Sequence, residues 1–208
     1  YISHKWPWWE NDFYEWKPFA RKSFRYFIGL AGNFTYNSVK LYLFDFDGTI
    51  ADLSIDWDEC RAFVNKGCKE HQISNELSLS QKIIDLGKIS HDYLDVIYQI
   101  ETTKGAPKYT LIATTINFIK SLNKEIYIIS HNHSKTIADI LTKEGLINSC
   151  QKIIGINYIN FAKPNSEPYQ HIQPYIKLGS SLYIGDRETD RQFAESANLD
   201  FIFTNEII

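Results

Sequence analysis

A chain of 208 residues, 44% hydrophobic and 23% charged, is long enough to bury a sizeable core. Its net charge of −3 gives no global basic field, so nucleic acid is not a partner that charge favours. No apolar run reaches the ~18–20 residues that span a membrane, and no signal-peptide pattern is visible.

Residues 1–38 differ in composition from the rest. Trp6, Trp8, Trp9 and Trp16 are four of the five tryptophans, joined by Phe13, Tyr14, Phe19, Phe24, Tyr26 and Phe27. Trp9, Phe13 and Trp16 recur at helical spacing, and Lys17, Arg21, Lys22 and Arg25 add a local basic cluster. Interleaved aromatic and basic residues can stack on nucleic acid or lie on a membrane surface. So much aromatic surface is more simply covered by protein. The expected cover is the following domain, or the same segment of a second subunit in a homodimer.

Leu41-Tyr42-Leu43-Phe44 is an apolar run without alternation, as in a strand buried on both faces of a parallel sheet. Asp45 and Asp47 follow at i and i+2, then Gly48-Thr49-Ile50. Two carboxylates at the end of a buried strand demand a cation, hydrogen bonds or a proton; the alternative is a solvated Asp-x-Asp-Gly turn. From Ala51 to about Lys104 the pattern turns helical. Trp57, Cys60, Phe63, Val64 and Gly67 share one face, and Ile83, Ile84, Leu86, Ile89, Tyr93, Leu94, Ile97 and Tyr98 mark at least one more amphipathic helix. Ser74-Asn75 and Gly87 are the expected breaks. Cys60, Cys68 and the later Cys150 have neither metal-ligand spacing nor an even count, which fits a reducing cytoplasm.

Gly105-Ala106-Pro107 marks a boundary, after which helix and strand alternate. The expected elements are a helix over 111–122, a strand over 126–129, and a helix capped by Ser134 and stopped at Gly145. A strand over 152–155, a helix over about 167–178, a strand over 181–184, a helix over about 189–197 and a strand over 200–204 complete the chain. This alternation predicts an α/β fold, a doubly wound parallel sheet with its site at the carboxyl ends of the strands.

Polar residues stand where that rule places a site: Ser130 after Ile126–Ile129, Lys163 before a helix, and Asp186 and Asp190 after Leu182-Tyr183-Ile184. A strand-end hydroxyl can bind a phosphate oxygen beside backbone N–H groups. His131 and His133 lack a third ligand nearby in sequence and read as ordinary loop histidines.

Asp45-Phe46-Asp47-Gly48-Thr49, the strand ending in Ser130, Lys163-Pro164 and Gly185-Asp186-Arg187-Glu188-Thr189-Asp190 resemble, in order, the four motifs of the haloacid dehalogenase superfamily. The resemblance covers residues 41–208 and is of the phosphoglycolate phosphatase and β-phosphoglucomutase type, with an α-helical cap inserted after the first strand. It implies a core of residues 39–52 and 105–208, a cap of residues 53–104, and an N-terminal extension, residues 1–38, outside the resemblance. It further implies Asp45 as nucleophile, forming an aspartyl-phosphate, and Asp47 as general acid/base. Ser130 and Lys163 would bind the phosphoryl group, and Asp190 would support the site. Mg²⁺ would be held by Asp45, Asp186 and the backbone carbonyl of Asp47. Arg187 departs from the Ser or Thr common at its position. The expected activity is hydrolysis of a small phosphorylated metabolite. A phosphomutase, or a binding protein that has kept the fold, is the alternative.

Overall fold

The computed structural model describes residues 39–102, 107–175 and 180–207; the expectations for residues 1–38 lie outside them. Five strands form one parallel sheet in the order β5-β4-β1-β6-β7. They are β1 (Val39–Phe44), β4 (Ile126–Ile129), β5 (Cys150–Ile154), β6 (Ser180–Gly185) and β7 (Asp200–Phe203). β1 is central, paired to β4 and β6. Leu41 to Phe44 and Ile126 to Ile129 are all buried, as an apolar run without alternation requires.

Helices lie on both faces. Phe118 of α4 (Ala113–Ser121) packs on Tyr42 and Phe44, with ring centroids 5.7 and 6.4 Å away. Phe193 of α7 (Glu188–Ser196) packs on Tyr183 at 4.9 Å, and Tyr183 is in register with Leu43. Tyr42 and Leu43 are successive residues and point to opposite sides of the sheet, so the two helices cover opposite faces. Helix α5 (Ser134–Lys143) follows β4, and a short α6 (Glu167–Gln170) precedes β6.

The chain between β1 and β4 holds a helical insertion. It is entered and left through an antiparallel pair, β2 (Ala51–Leu53) and β3 (Tyr109–Leu111). Three helices stand on this stem: α1 (Trp57–Glu70), α2 (Leu79–Ile89) and α3 (His91–Glu101). Asp56, Ser78 and Ser90 cap their N-termini by accepting backbone N–H groups of the first turn. Among the described residues, no helix is long and apolar enough to cross a membrane.

Several local expectations are corrected. Ala51 begins a strand and Leu111 ends one, because their pairing joins residues 60 positions apart, from Ala51 to Leu111, beyond any local pattern. Gly87 is not a break. It sits inside α2, where a Cβ would approach Leu94 Cγ to 2.8 Å, so its missing side chain admits α3. The break falls at Ser90 instead. The helix expected over 167–178 ends at Gln170, with a separate 3₁₀ turn at Gln173–Tyr175; Pro174 has no N–H with which to continue it. The N-cap of α5 is His133 rather than Ser134, its ring nitrogen accepting the Lys135 N–H.

Candidate active site

The turn after β1 is built around one buried side chain. Phe46 is fully buried, and its carbonyl accepts the N–H groups of Thr49, Ile50 and Ala51. With Phe46 in the core, Asp45 and Asp47 both reach the same cavity of about 350 Å³. Gly48 turns the chain at φ +79°, and a Cβ there would collide with the Asp186 carboxylate. Asp47 accepts the Leu53 N–H at 2.9 Å, which ties the β2 stem to the turn. Burial and the Asp45 charge raise the Asp47 pKa against the lowering effect of the Leu53 hydrogen bond.

Asp45 directly follows β1 and is 6% exposed. Lys163 arrives from the loop after β5 and is equally buried. Its ammonium lies 2.9 Å from Asp45 Oδ1, 2.5 Å from Asp190 Oδ1 and 3.0 Å from Tyr183 Oη. Burial alone would lower the Lys163 pKa, but Asp45 and Asp190 more than reverse it, so the ammonium stays charged. Tyr183 in turn donates to the Ile129 carbonyl at 2.8 Å. The second oxygen of Asp190 accepts the Arg187 N–H at 3.1 Å. Asp190 is thus engaged on both oxygens and holds the lysine in place.

Asp45, Asp186 and Asp190 place one carboxylate oxygen each within 4.8 Å of one another. Burial, then the Asp45 charge, pushes the Asp186 pKa up to about 6. Asp186 Oδ1 is buried without a hydrogen-bond partner among the described residues. An orphaned carboxylate oxygen beside a second carboxylate fits a small, hard cation. Asp45 and Asp186 are the residues able to hold one, since Asp190 is committed. Arg187, 60% exposed along its side chain, lies 3.6 Å from Asp47 and 3.5 Å from Asp186.

Ser130 follows β4, is 2% exposed, and lines the same cavity. Its hydroxyl donates to Asn132 Oδ1 at 3.0 Å, and Asn132 Nδ2 donates to Glu101 at 3.3 Å. Glu101, the last residue of α3, also accepts the His133 N–H at 3.0 Å. Burial raises its pKa to about 7 against these hydrogen bonds. His131 is not an ordinary loop histidine. The Lys163 N–H donates to its Nε2 at 2.8 Å, which leaves Nδ1 to donate to Ser80 Oγ of α2 at 3.0 Å. Burial, with the Lys163 charge, lowers its pKa to about 3, so the ring is neutral.

Asp45, Asp47, Ser130, Lys163 and Asp190 therefore line one cavity, with Asp186 beside Asp45. Tyr183, Glu101, Asn132 and the bridging role of His131 are what sequence reasoning missed. For Glu101 a signal existed: it continues the Leu94, Ile97 stripe at i+3 and i+7, an acid on an apolar helix face. Tyr183 carries no such mark, since a tyrosine in a buried strand reads as core.

Comparison with known proteins follows the same lines. The family model described as haloacid dehalogenase-like hydrolase matches residues 42–204. The phosphoglycolate phosphatase of Rhodobacter capsulatus is 24% identical over 183 residues, covering 79% of this chain and 83% of that protein. Among solved structures, one assigned as a haloacid dehalogenase-like hydrolase from Bacteroides fragilis aligns with a TM-score of 0.54 at 20% identity, covering 78% of this chain and 86% of its own. A predicted phosphoglycolate phosphatase from Haemophilus somnus aligns with a TM-score of 0.53 at 19% identity, covering 85% and 91%. These two structures share the fold.

Proposed function

The chain belongs to the haloacid dehalogenase-like hydrolases, and on that premise we propose that it is a Mg²⁺-dependent phosphatase acting on a small phosphorylated metabolite. The observation that carries this reading is the meeting of Asp45, Asp47 and the Lys163 ammonium at one cavity. The 24% identical relative named as a phosphoglycolate phosphatase supports the same reaction class.

A carboxylate oxygen of Asp45 attacks phosphorus, forming an aspartyl-phosphate as the bond to the leaving oxygen breaks. Asp47, whose raised pKa favours holding a proton, delivers it to that oxygen and later takes one from the water that cleaves the aspartyl-phosphate. Lys163 and the Ser130 hydroxyl offset charge on the phosphoryl oxygens. Asp190 and Tyr183 hold the lysine where both carboxylates and phosphate can meet it. Mg²⁺, held by Asp45, Asp186 and the Asp47 carbonyl, would neutralise the meeting of carboxylate and phosphate. The helices of residues 53–104 act as a cap, closing over the cavity and setting specificity. The free cysteines Cys60, Cys68 and Cys150 suit a reducing compartment such as the cytoplasm.

Phosphate release from a panel of monoesters, with and without Mg²⁺, tests the proposal. Turnover is expected only with the metal. Asp45→Asn should abolish it, and Asp47→Asn should cost about 10²–10⁴-fold with a poor leaving group. Activity that survives both excess chelator and Asp45→Asn would overturn the reading.

A further inference from the structure

We infer that the ester cleaved here carries an uncharged, largely apolar leaving group. The inference rests on the phosphatase reading and concerns the two unlike walls of the cavity over Asp45. The core wall is polar, made by Asp45, Asp47, Ser130, Asn132 and Lys163. The facing wall comes from the insertion and is formed mainly by Ile55, Trp57, Leu79, Ile83, Ile97 and Ile100. Three of these are held in the packed core of α2 and α3, with Ile83, Ile97 and Ile100 at 5%, 3% and 7% exposure. A polar core wall suits the phosphoryl group, so whatever is esterified to it meets the hydrocarbon wall.

The few polar groups on that wall are already committed. Ser80 faces His131, and Glu101 accepts from Asn132 and the His133 N–H. Each described cation lining the cavity already faces a carboxylate. Arg61 lies 3.2 Å from Asp58, Lys163 pairs with Asp45 and Asp190, and Arg187 lies against Asp47 and Asp186. Arg61 and Arg187, with side chains 56% and 60% exposed, are screened by water, so a carboxylate or second phosphate on the leaving group would gain little from them and would lie near Glu101. The hydroxyls of a sugar would lose water against isoleucine side chains without new partners. A short alkyl or aryl body loses nothing there, and each buried methylene favours binding. The cavity of about 350 Å³ stands near the lower end of small-molecule pockets, ~300–1,000 Å³, so the body is compact.

Calorimetric titration of the full chain in Mg²⁺ buffer with non-hydrolysable phosphonates tests this without turnover. Ethyl-, butyl- and hexylphosphonate should bind with affinity rising about two- to fourfold per added methylene. 3-Phosphonopropionate, which ends in a carboxylate, should bind more weakly than butylphosphonate. A flat alkyl series, tighter binding of the carboxylate, or no phosphonate binding at all would overturn the inference. A parallel hydrolysis panel separates it from the reading beneath. The expected binding series without cleavage of any monoester would overturn the phosphatase reading and leave the cavity as a site that binds an anion with an apolar body. Cleavage of phosphoglycolate in preference to butyl phosphate would do the reverse.

Discussion

Without the Lys163 ammonium, Asp45 and Asp190 would be left as two buried carboxylates, 6% and 1% exposed, with no cation between them. Breaking a buried pair by deleting one partner typically costs about 3–5 kcal/mol, because the remaining charge is uncompensated. Lys163→Met should therefore lower stability by about 3 kcal/mol or more in denaturant unfolding at pH 7. The loss should shrink at pH 4, because burial and the Asp45 charge raise the Asp190 pKa and favour its taking up a proton there. An equal loss at both pH values would mean that packing, not charge, is what the lysine supplies. Tyr183 belongs to the same account, since its hydroxyl takes one ammonium hydrogen bond and passes another to Ile129. Asp186 is the opposite case, a carboxylate with a raised pKa and one orphaned oxygen, its other oxygen 3.5 Å from the exposed Arg187.

Helix α2 is packed and latched by residues whose roles depend on other elements. In Gly87→Ala, helix propensity alone would favour alanine by about 1 kcal/mol. The added Cβ, however, would come within 2.8 Å of Leu94 Cγ, and overpacking costs typically about 1–3 kcal/mol. A lower melting temperature is expected; a higher one would show that α3 can shift without loss. The latch between α2 and the lysine loop runs through His131, which joins Ser80 to the Lys163 N–H, while Gln81 accepts the Ala162 N–H at 2.9 Å. The His131 pKa, about 3 in the fold, lies below the ~6.5 of an unfolded histidine. Its stabilising contribution is therefore present above pH 6.5 and lost as pH falls from there toward 3. At pH 5 the expected loss is about 2 kcal/mol, at 1.36 kcal/mol per unit. Glu101 and Asp186 have raised pKa values and act in the opposite sense. The test is thus the difference between wild type and His131→Asn across pH 4–7, which should narrow on acidification. A constant difference would mean that the ring does not stay neutral by burial.

For the whole molecule, the proposed cation site would link metal binding to folding through the charge gathered at the ends of β1 and β6. Asp45 and Asp186 repel each other without a cation, and any ligand that binds only the folded state stabilises it by mass action, by about 2.7 kcal/mol at one hundred times its dissociation constant. Mg²⁺ should raise the melting temperature of the wild type. Asp186→Asn should melt higher than wild type in chelator, because repulsion is relieved, and should gain less from Mg²⁺. An unchanged metal response in Asp186→Asn would move the cation away from this carboxylate. Much of this architecture was readable from short-range pattern. The apolar run Leu41–Phe44 ending in Asp45, the strands around 126–129 and 181–184, and the helical faces of 57–67 and 83–98 depend on neighbours within a turn or a strand. That is enough to indicate a parallel α/β sheet with acids at its carboxyl ends. What only the tertiary structure decided depends on contacts between distant residues. The Lys163–Asp45 pair spans 118 positions, the β2–β3 stem encloses the whole insertion, and the apolar wall exists only because three helices face β1 across a cavity. A local pattern records which face of an element is buried. It does not record what that face is buried against, because the partner is chosen by packing and desolvation across the whole chain.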